Sequence, residues 1–251
     1  MSDKACARTE LLIGREGMVN LAGRHVLVAG LGGVGGHVAE ALARAGVGTL
    51  TLVDDDRVAA SNLNRQIIAL GSTLGRSKVA VMAERIADIN PELEVRCLER
   101  RIDRHNAADL LRAGPYDFVA DCIDTVDAKA ALLAACLDSN TAVIACMGSA
   151  GRMDPTRVGV ARLNQTHGDG LARALRRRLK AMGRAPRLPV VFSDEAPRSG
   201  LADSDANGVH SATVNGTISY MPAVFGLIQA GHILQALLSR NDETDREGPE
   251  R

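Results

Sequence analysis

Aromatic side chains are nearly missing: 251 residues include no Trp, two Tyr and three Phe. With 46% hydrophobic residues, the core has to be built from Ala, Val, Leu and Ile. That composition suits a buried parallel sheet under Ala-rich helices. Platforms for stacking unpaired bases are scarce for the same reason. Net charge is also missing, because 30 Lys and Arg balance 30 Asp and Glu. No global basic field points to nucleic acid, so any polyanion must be held by a local patch. The five cysteines, Cys6, Cys97, Cys122, Cys136 and Cys146, contain no CxxC pair. Zinc held by paired CxxC motifs is therefore excluded. An odd count, with no signal-like segment ahead of it, fits a reduced, cytoplasmic chain. No apolar run reaches about 18 residues, so no membrane-inserted helix is expected. No internal repeat or low-complexity stretch is visible.

What is present alternates. Short apolar runs at 25–29, 49–53, 94–98, 117–122 and 141–146 are separated by helical patterns at 34–46, 76–89, 105–113 and 127–138. The pattern predicts an α/β fold: a Rossmann-like, doubly wound, mainly parallel sheet. Beyond Pro155 come strand-like runs at 157–162 and 188–193, a basic helix between them over 171–182, a polar, mobile loop over 194–215 and an apolar helix over 220–238. This is a C-terminal strand/helix extension. The chain thus divides into an N-terminal helical arm (1–22), a nucleotide-binding domain (23–155), a substrate-binding extension of the same domain (156–240) and a flexible tail (241–251).

The first strand runs into Gly30-Leu31-Gly32-Gly33-Val34-Gly35-Gly36. Gly30, Gly32 and Gly35 make the GxGxxG pattern between a strand and a helix, with Gly33 as extra bare backbone. Such a loop lets a phosphate reach the free N–H groups of the helix N-terminus. Asp54 ends the next strand, where a carboxylate can accept both ribose hydroxyls. This pattern does not by itself choose between NAD, FAD, SAM and ATP.

The next segment points to a triphosphate. Ser61-Asn62-Leu63-Asn64-Arg65-Gln66 follows Asp54-Asp55-Asp56, and Lys78 opens a helix twelve residues after Gln66. Arg65 and Lys78 can converge on phosphates. A dehydrogenase needs no such pair, whereas attack of a carboxylate on an α-phosphorus does. There, charge builds on the phosphate oxygens and the leaving pyrophosphate, and fixed cations and a metal stabilise it. Asp121 and Asp124 follow a strand at the carboxyl edge of the sheet, where a carboxylate can hold Mg²⁺ against phosphate oxygens. The histidines have no metal-ligand spacing.

Taken together, GLGGVGG, LVDDDRVAASNLNRQ, LGRSKV and DCIDTVDAK resemble the ThiF/MoeB/HesA group of ubiquitin-activating-enzyme-like adenylyltransferases. The resemblance covers nearly the whole chain. Three later segments, ACMGSAGRMDPT (145–156), VVFSDE (190–195) and VNGTISYMPAVFGLIQAG (214–231), are similar to one branch, the tRNA threonylcarbamoyladenosine dehydratases. That resemblance implies adenylation of the threonyl carboxylate of a modified tRNA adenosine, then cyclisation with release of AMP. It implies ATP at the glycine loop, with Asp54, Asp56, Asn62, Gln66 and Asp121 binding the nucleotide. It assigns catalysis to Arg65, Lys78 and Asp124, with Asp124 as the Mg²⁺ ligand. It implies a homodimer in which Arg8 reaches the partner subunit's nucleotide. It also leaves room for a monovalent cation and for a sulfur-transfer or cysteine desulfurase partner. The expected tRNA contact is the basic helix, through Arg173, Arg176, Arg177, Arg178 and Lys180. Ser211 stands where some members of the branch have a cysteine, and SDE replaces the more usual STE. Two other readings stay open: an activator of a Gly-Gly-tailed sulfur carrier, and a non-catalytic nucleotide-binding protein.

Overall fold

The computed structural model describes residues 3–198 and 216–244. Among the described residues, seven strands form one sheet: β1 (His25–Ala29), β2 (Thr49–Val53), β3 (Glu94–Leu98), β4 (Phe118–Asp121), β5 (Val143–Cys146), β6 (Val158–Arg162) and β7 (Pro189–Ser193). Their order is β3-β2-β1-β4-β5-β7-β6. All neighbours are parallel except β6, which pairs antiparallel with β7. The extension over 156–240 therefore completes the same sheet.

The helices are α1 (Asp3–Ala22), α2 (Gly35–Ala45), α3 (Lys78–Ile89), α4 (Ala107–Arg112), α5 (Val126–Asp138), α6 (Gly170–Ala181) and α7 (Met221–Thr244). Side chains alternate across the strands, and the two faces bury separate cores. Val26, Val28, Leu50, Leu52, Ala120 and Ile144 face α2, α3 and α7, meeting Leu42, Met82, Phe225 and Ile233. Leu27, Ala29, Val119, Val143 and Ala145 face α4, α5 and α6, meeting Leu110, Leu132, Leu133 and Leu175. Small and branched residues fill both layers, as the lack of aromatics demands.

Three expectations change. Helix α7 continues to Thr244, so the first residues of the expected tail over 241–251 are helical. Its stretch Met221–Ser239, with mean hydropathy 1.4, is long and apolar enough to cross a membrane. Here Met221, Phe225, Ile233 and Leu237 are sequestered in the core instead. The start of the polar loop over 194–215 is held in place. Glu195 accepts the N–H groups of Met153 (2.9 Å) and Asp154 (2.8 Å), and Arg157 pairs with Asp194 at 2.7 Å. Residues 199–215, with Ser211, lie outside the described residues.

The arm is a helix bent at Gly14, whose φ of 72° breaks the α-helical run. Its C-terminal half docks on α7, where the buried Asn20 amide donates to the Leu237 carbonyl at 3.0 Å.

Candidate active site

Along the chain, β1, β2 and β3 proceed in one direction across the sheet; β4 and β5 then lie on the other side of β1. Ligands of open α/β sheets bind at the carboxyl ends of strands at such a reversal. A cavity of about 720 Å³ opens there. Its walls include Gly30, Gly32, Gly33, Asp54, Asp56, Asn62, Arg65, Gln66, Lys78 and Asp124.

The glycine loop has the geometry its sequence demands. Gly30 takes φ 88°, in the left-handed region that glycine favours. A Cβ on Gly35 would lie 1.8 Å from the Gly30 carbonyl oxygen, so strand and helix meet at backbone distance. Gly35 itself is buried behind the loop and supports the wall. Above the loop, Gly33 faces Pro222 in the first turn of α7.

Asp54 is fixed by backbone donors. Its Oδ2 accepts Leu31 N–H at 2.6 Å and its Oδ1 accepts Asp56 N–H at 2.8 Å. Each oxygen keeps acceptor capacity toward the cavity. Burial pushes the Asp54 carboxyl above the usual carboxylate range, while Leu31 N–H and Lys78 pull it back.

Lys78 opens α3 after Ser77. Its side chain is 6% exposed, and Nζ lies 2.7 Å from Oδ2 of Asp56. The ammonium is thus a fixed positive charge on the cavity wall. Arg65 donates from Nη1 to the Ser61 carbonyl (2.9 Å) and to Asn64 Oδ1 (2.8 Å). Asn64 in turn donates to the Thr217 carbonyl at 3.0 Å, tying this loop to the approach to α7. Asn62 caps its own turn by accepting Ala59 N–H at 3.1 Å. Gln66 is buried, and its Oε1 has no partner among the described residues.

Asp124 is exposed at the cavity and makes no side-chain bond among the described residues. A free carboxylate facing a phosphate site fits a Mg²⁺ ligand. The carboxylate oxygens of Asp54, Asp55 and Asp56 also lie within 4.8 Å of one another, but Asp56 is already paired with Lys78.

Asp121 corrects the sequence reading. It was expected to bind the nucleotide, yet it is fully buried and absent from the cavity wall. Lys129 Nζ, equally buried, sits 2.9 Å from Asp121 Oδ2 and donates to the Ile123 carbonyl at 2.8 Å. Asp121 Oδ1 accepts Ile123 N–H at 3.1 Å. The pair braces the turn that presents Asp124. A strand-end acid facing inward has the same sequence pattern as one facing a ligand, and Lys129 in DCIDTVDAK was the available clue.

Arg8 is exposed on α1 and does not line its own chain's cavity. Of the basic helix, Arg176 is turned inward, donating to the carbonyls of Leu163 (3.2 Å) and Thr166 (3.0 Å). Arg178 pairs with Asp127 at 3.0 Å. Arg173, Arg177 and Lys180 are exposed with no side-chain partner among the described residues. Spaced four and three apart, they share one helical face. Leu171, the second residue of α6, lines the cavity.

Sequence reasoning missed Arg100, which lines the cavity with a buried, unpartnered Nε. It also missed Gln229, whose Oε1 lies 3.2 Å from Cys122 Sγ and 3.0 Å from Cys146 Sγ. Burial pushes both thiols up, which argues against either as a nucleophile.

The profile of the ThiF family matches residues 6–248. The tRNA threonylcarbamoyladenosine dehydratase of Bacillus subtilis is 40% identical, over 92% of this chain and 94% of its own. The structure of the Escherichia coli tRNA N6-threonylcarbamoyladenosine dehydratase, TcdA, in complex with AMP superposes with a TM-score of 0.88. It is 36% identical, covering 96% of each chain. Its complex with ATP gives a TM-score of 0.86 at 35% identity over 98% of this chain and 97% of that one. The sulfur carrier protein ThiS adenylyltransferase of E. coli matches over only 53% of this chain and 52% of its own, at 38% identity. The chain belongs to the ThiF family, on the branch of the tRNA threonylcarbamoyladenosine dehydratases.

Proposed function

We propose that this protein is an ATP-dependent tRNA threonylcarbamoyladenosine dehydratase. The observation that carries the reading is one cavity holding a phosphate-binding glycine loop, a ribose-type carboxylate at Asp54, two cations at Arg65 and Lys78, and a free carboxylate at Asp124. A redox cofactor site needs no such pair of cations. Adenylation needs them, because charge develops on the α-phosphate and on departing pyrophosphate.

The threonyl carboxylate attacks the α-phosphorus and pyrophosphate leaves. Intramolecular attack on the acyl carbon then closes the ring and expels AMP, with net loss of water. No protein nucleophile is required, which agrees with the upward push on the Cys122 and Cys146 thiols. Gly30, Gly32 and Gly33 cradle phosphates. Asp54 accepts the ribose hydroxyls, and Asn62 and Gln66 line the phosphate side. Asp124 would hold Mg²⁺, which when bound neutralises charge on the phosphates. The exposed stripe Arg173, Arg177 and Lys180 leads from the cavity edge at Leu171 and supplies phosphate contacts for tRNA.

A homodimer completes the reading. Leu11, Leu12 and Val19 on α1 are 88%, 84% and 67% exposed, an apolar face that a second copy would cover. The same helix carries Arg8, which then extends to the partner subunit's nucleotide. A cytoplasmic, reducing compartment agrees with five free cysteines.

The second reading, activation of a Gly-Gly-tailed sulfur carrier, is disfavoured by the missing CxxC pairs and by the half-length match to that class. The test is pyrophosphate release from ATP with tRNA carrying threonylcarbamoyladenosine or with unmodified tRNA, followed by nucleoside mass analysis. Turnover confined to the modified tRNA, with loss of one water, is the expected result. Turnover only with a Gly-Gly-tailed carrier would replace the proposal with the second reading.

A further inference from the structure

Opposite the nucleotide side, the cavity is walled by the 146–150 segment after β5, together with Leu171 and Thr217. This turn is held from behind by a buried ion pair. Arg152 Nη2 lies 2.8 Å from Oδ2 of Asp169, with both side chains 2% exposed. Arg152 Nη1 donates to the carbonyls of Gly148 and, at 3.4 Å, Ala150. Asp169 Oδ2 also accepts Gly148 N–H at 3.2 Å, and its Oδ1 caps α6 through Ala172 N–H at 2.7 Å. Two charges thus bind three backbone groups of the turn and the first turn of α6. Burying an ion pair brings little net stability. What this one brings is a fixed geometry on the side of the cavity that the nucleotide does not need.

Resting on the dehydratase reading, we propose that Arg152 and Asp169 are positioning residues. They hold the 148–150 turn as the wall that seats the acyl substrate for in-line attack, and they couple that wall to the α6 stripe that grips the tRNA. Neither reaches the reacting atoms, since both are behind the turn. Their effect is therefore on placement of the tRNA carboxylate and not on ATP. A misplacement of about 1 Å lowers such a reaction on the order of 100-fold.

Arg152→Lys keeps the charge but not the forked donor set, and Asp169→Asn keeps the cap acceptor but not the charge. Asp169→Ala strands a buried cation and can unfold the extension, so the two conservative variants are the informative ones. Each full-length variant is assayed for ATP dissociation constant, melting temperature, and kcat and KM with tRNA carrying threonylcarbamoyladenosine. The expected result is an ATP affinity within about twofold of wild type and a kcat/KM for tRNA lowered roughly 10- to 100-fold. Restoring charge in the Asp169→Glu variant should recover part of that loss. Wild-type kinetics in both conservative variants would overturn the inference. So would ATP affinity and tRNA turnover falling in proportion, which marks a merely structural pair. If the wild-type enzyme itself shows no turnover with the modified tRNA, the functional reading fails, and this inference, which rests on it, falls with it.

Discussion

At the scale of single residues, the site rests on how its charges are held. Lys78 is nearly covered and tied to Asp56, while Arg65 is laced into its own loop. Lys78→Ala leaves Asp56 facing solvent, so the fold should survive. Pyrophosphate release should fall about 10²- to 10³-fold, the usual cost of removing a fixed donor to developing charge. Near-wild-type release with an unchanged circular dichroism spectrum would contradict the assignment. Asp54 carries a pH signature. Its ordinary carboxyl value is raised by burial, so the protonated form appears at a higher pH than for an exposed Asp. Protonation replaces an acceptor with a donor toward the ribose. ATP affinity should therefore weaken on acidification at a pH above the ordinary Asp range, and Asp54→Asn should flatten that profile; titrations of a fluorescent ATP analogue from neutral to acid pH would read it. Gly30, Gly32, Asp54, Arg65, Lys78 and Asp124, read from the sequence as one site, do line one cavity. Asp121 and Lys129, and likewise Arg152 and Asp169, were not legible in the sequence. Their roles depend on burial and on a partner that spacing alone does not assign.

At the scale of elements, strand runs in the sequence fell close to their observed bounds, since short apolar runs leave little freedom of register. The antiparallel return of β6 beside β7 was not legible, because chain order does not fix strand order beyond a βαβ unit. Nor was it visible that only part of the basic helix is available. Its Arg176 and Arg178 are engaged, and its Arg173, Arg177 and Lys180 are not. Replacing those three by Ala should flatten the dependence of log affinity for tRNA on log salt concentration by about 2 to 3, near 0.7 to 0.9 per lost phosphate contact. An unchanged slope in filter-binding titrations would remove the stripe from the interface. Helix α7 has a different constraint. A Cβ at Gly226 would lie 2.6 Å from the Val34 carbonyl oxygen, where α7 crosses α2. Gly226→Ala should destabilise by about 1 to 3 kcal/mol. For a chain of this size that lowers the melting temperature by roughly 2 to 4 °C per kcal/mol, which calorimetry would measure.

At the scale of the whole molecule, the sheet is one continuous layer with its ligand edge built by both halves of the chain. The composition predicted this much: few aromatics, and so two aliphatic layers. Leu11 and Leu12 are ordinary letters in a sequence and become an uncovered face, which the proposed second copy would cover, only once α1 is placed. If the partner's Arg8 completes each site, Arg8→Ala and Lys78→Ala homodimers should both be weak. Mixing them under subunit exchange should then restore activity, because one site of each hybrid carries neither substitution. No recovery in mixed samples would show that Arg8 does not act across the interface.

Met221–Thr244 is synthesised after every strand of the sheet, yet it fills the core between α2 and the strands and sets Pro222 over Gly33. Until that helix arrives, a growing chain has an open apolar groove beside an unroofed glycine loop. The residues proposed for catalysis on this chain's own cavity all lie in the first half of the sequence, but the wall at Pro222 is added only with the last helix described.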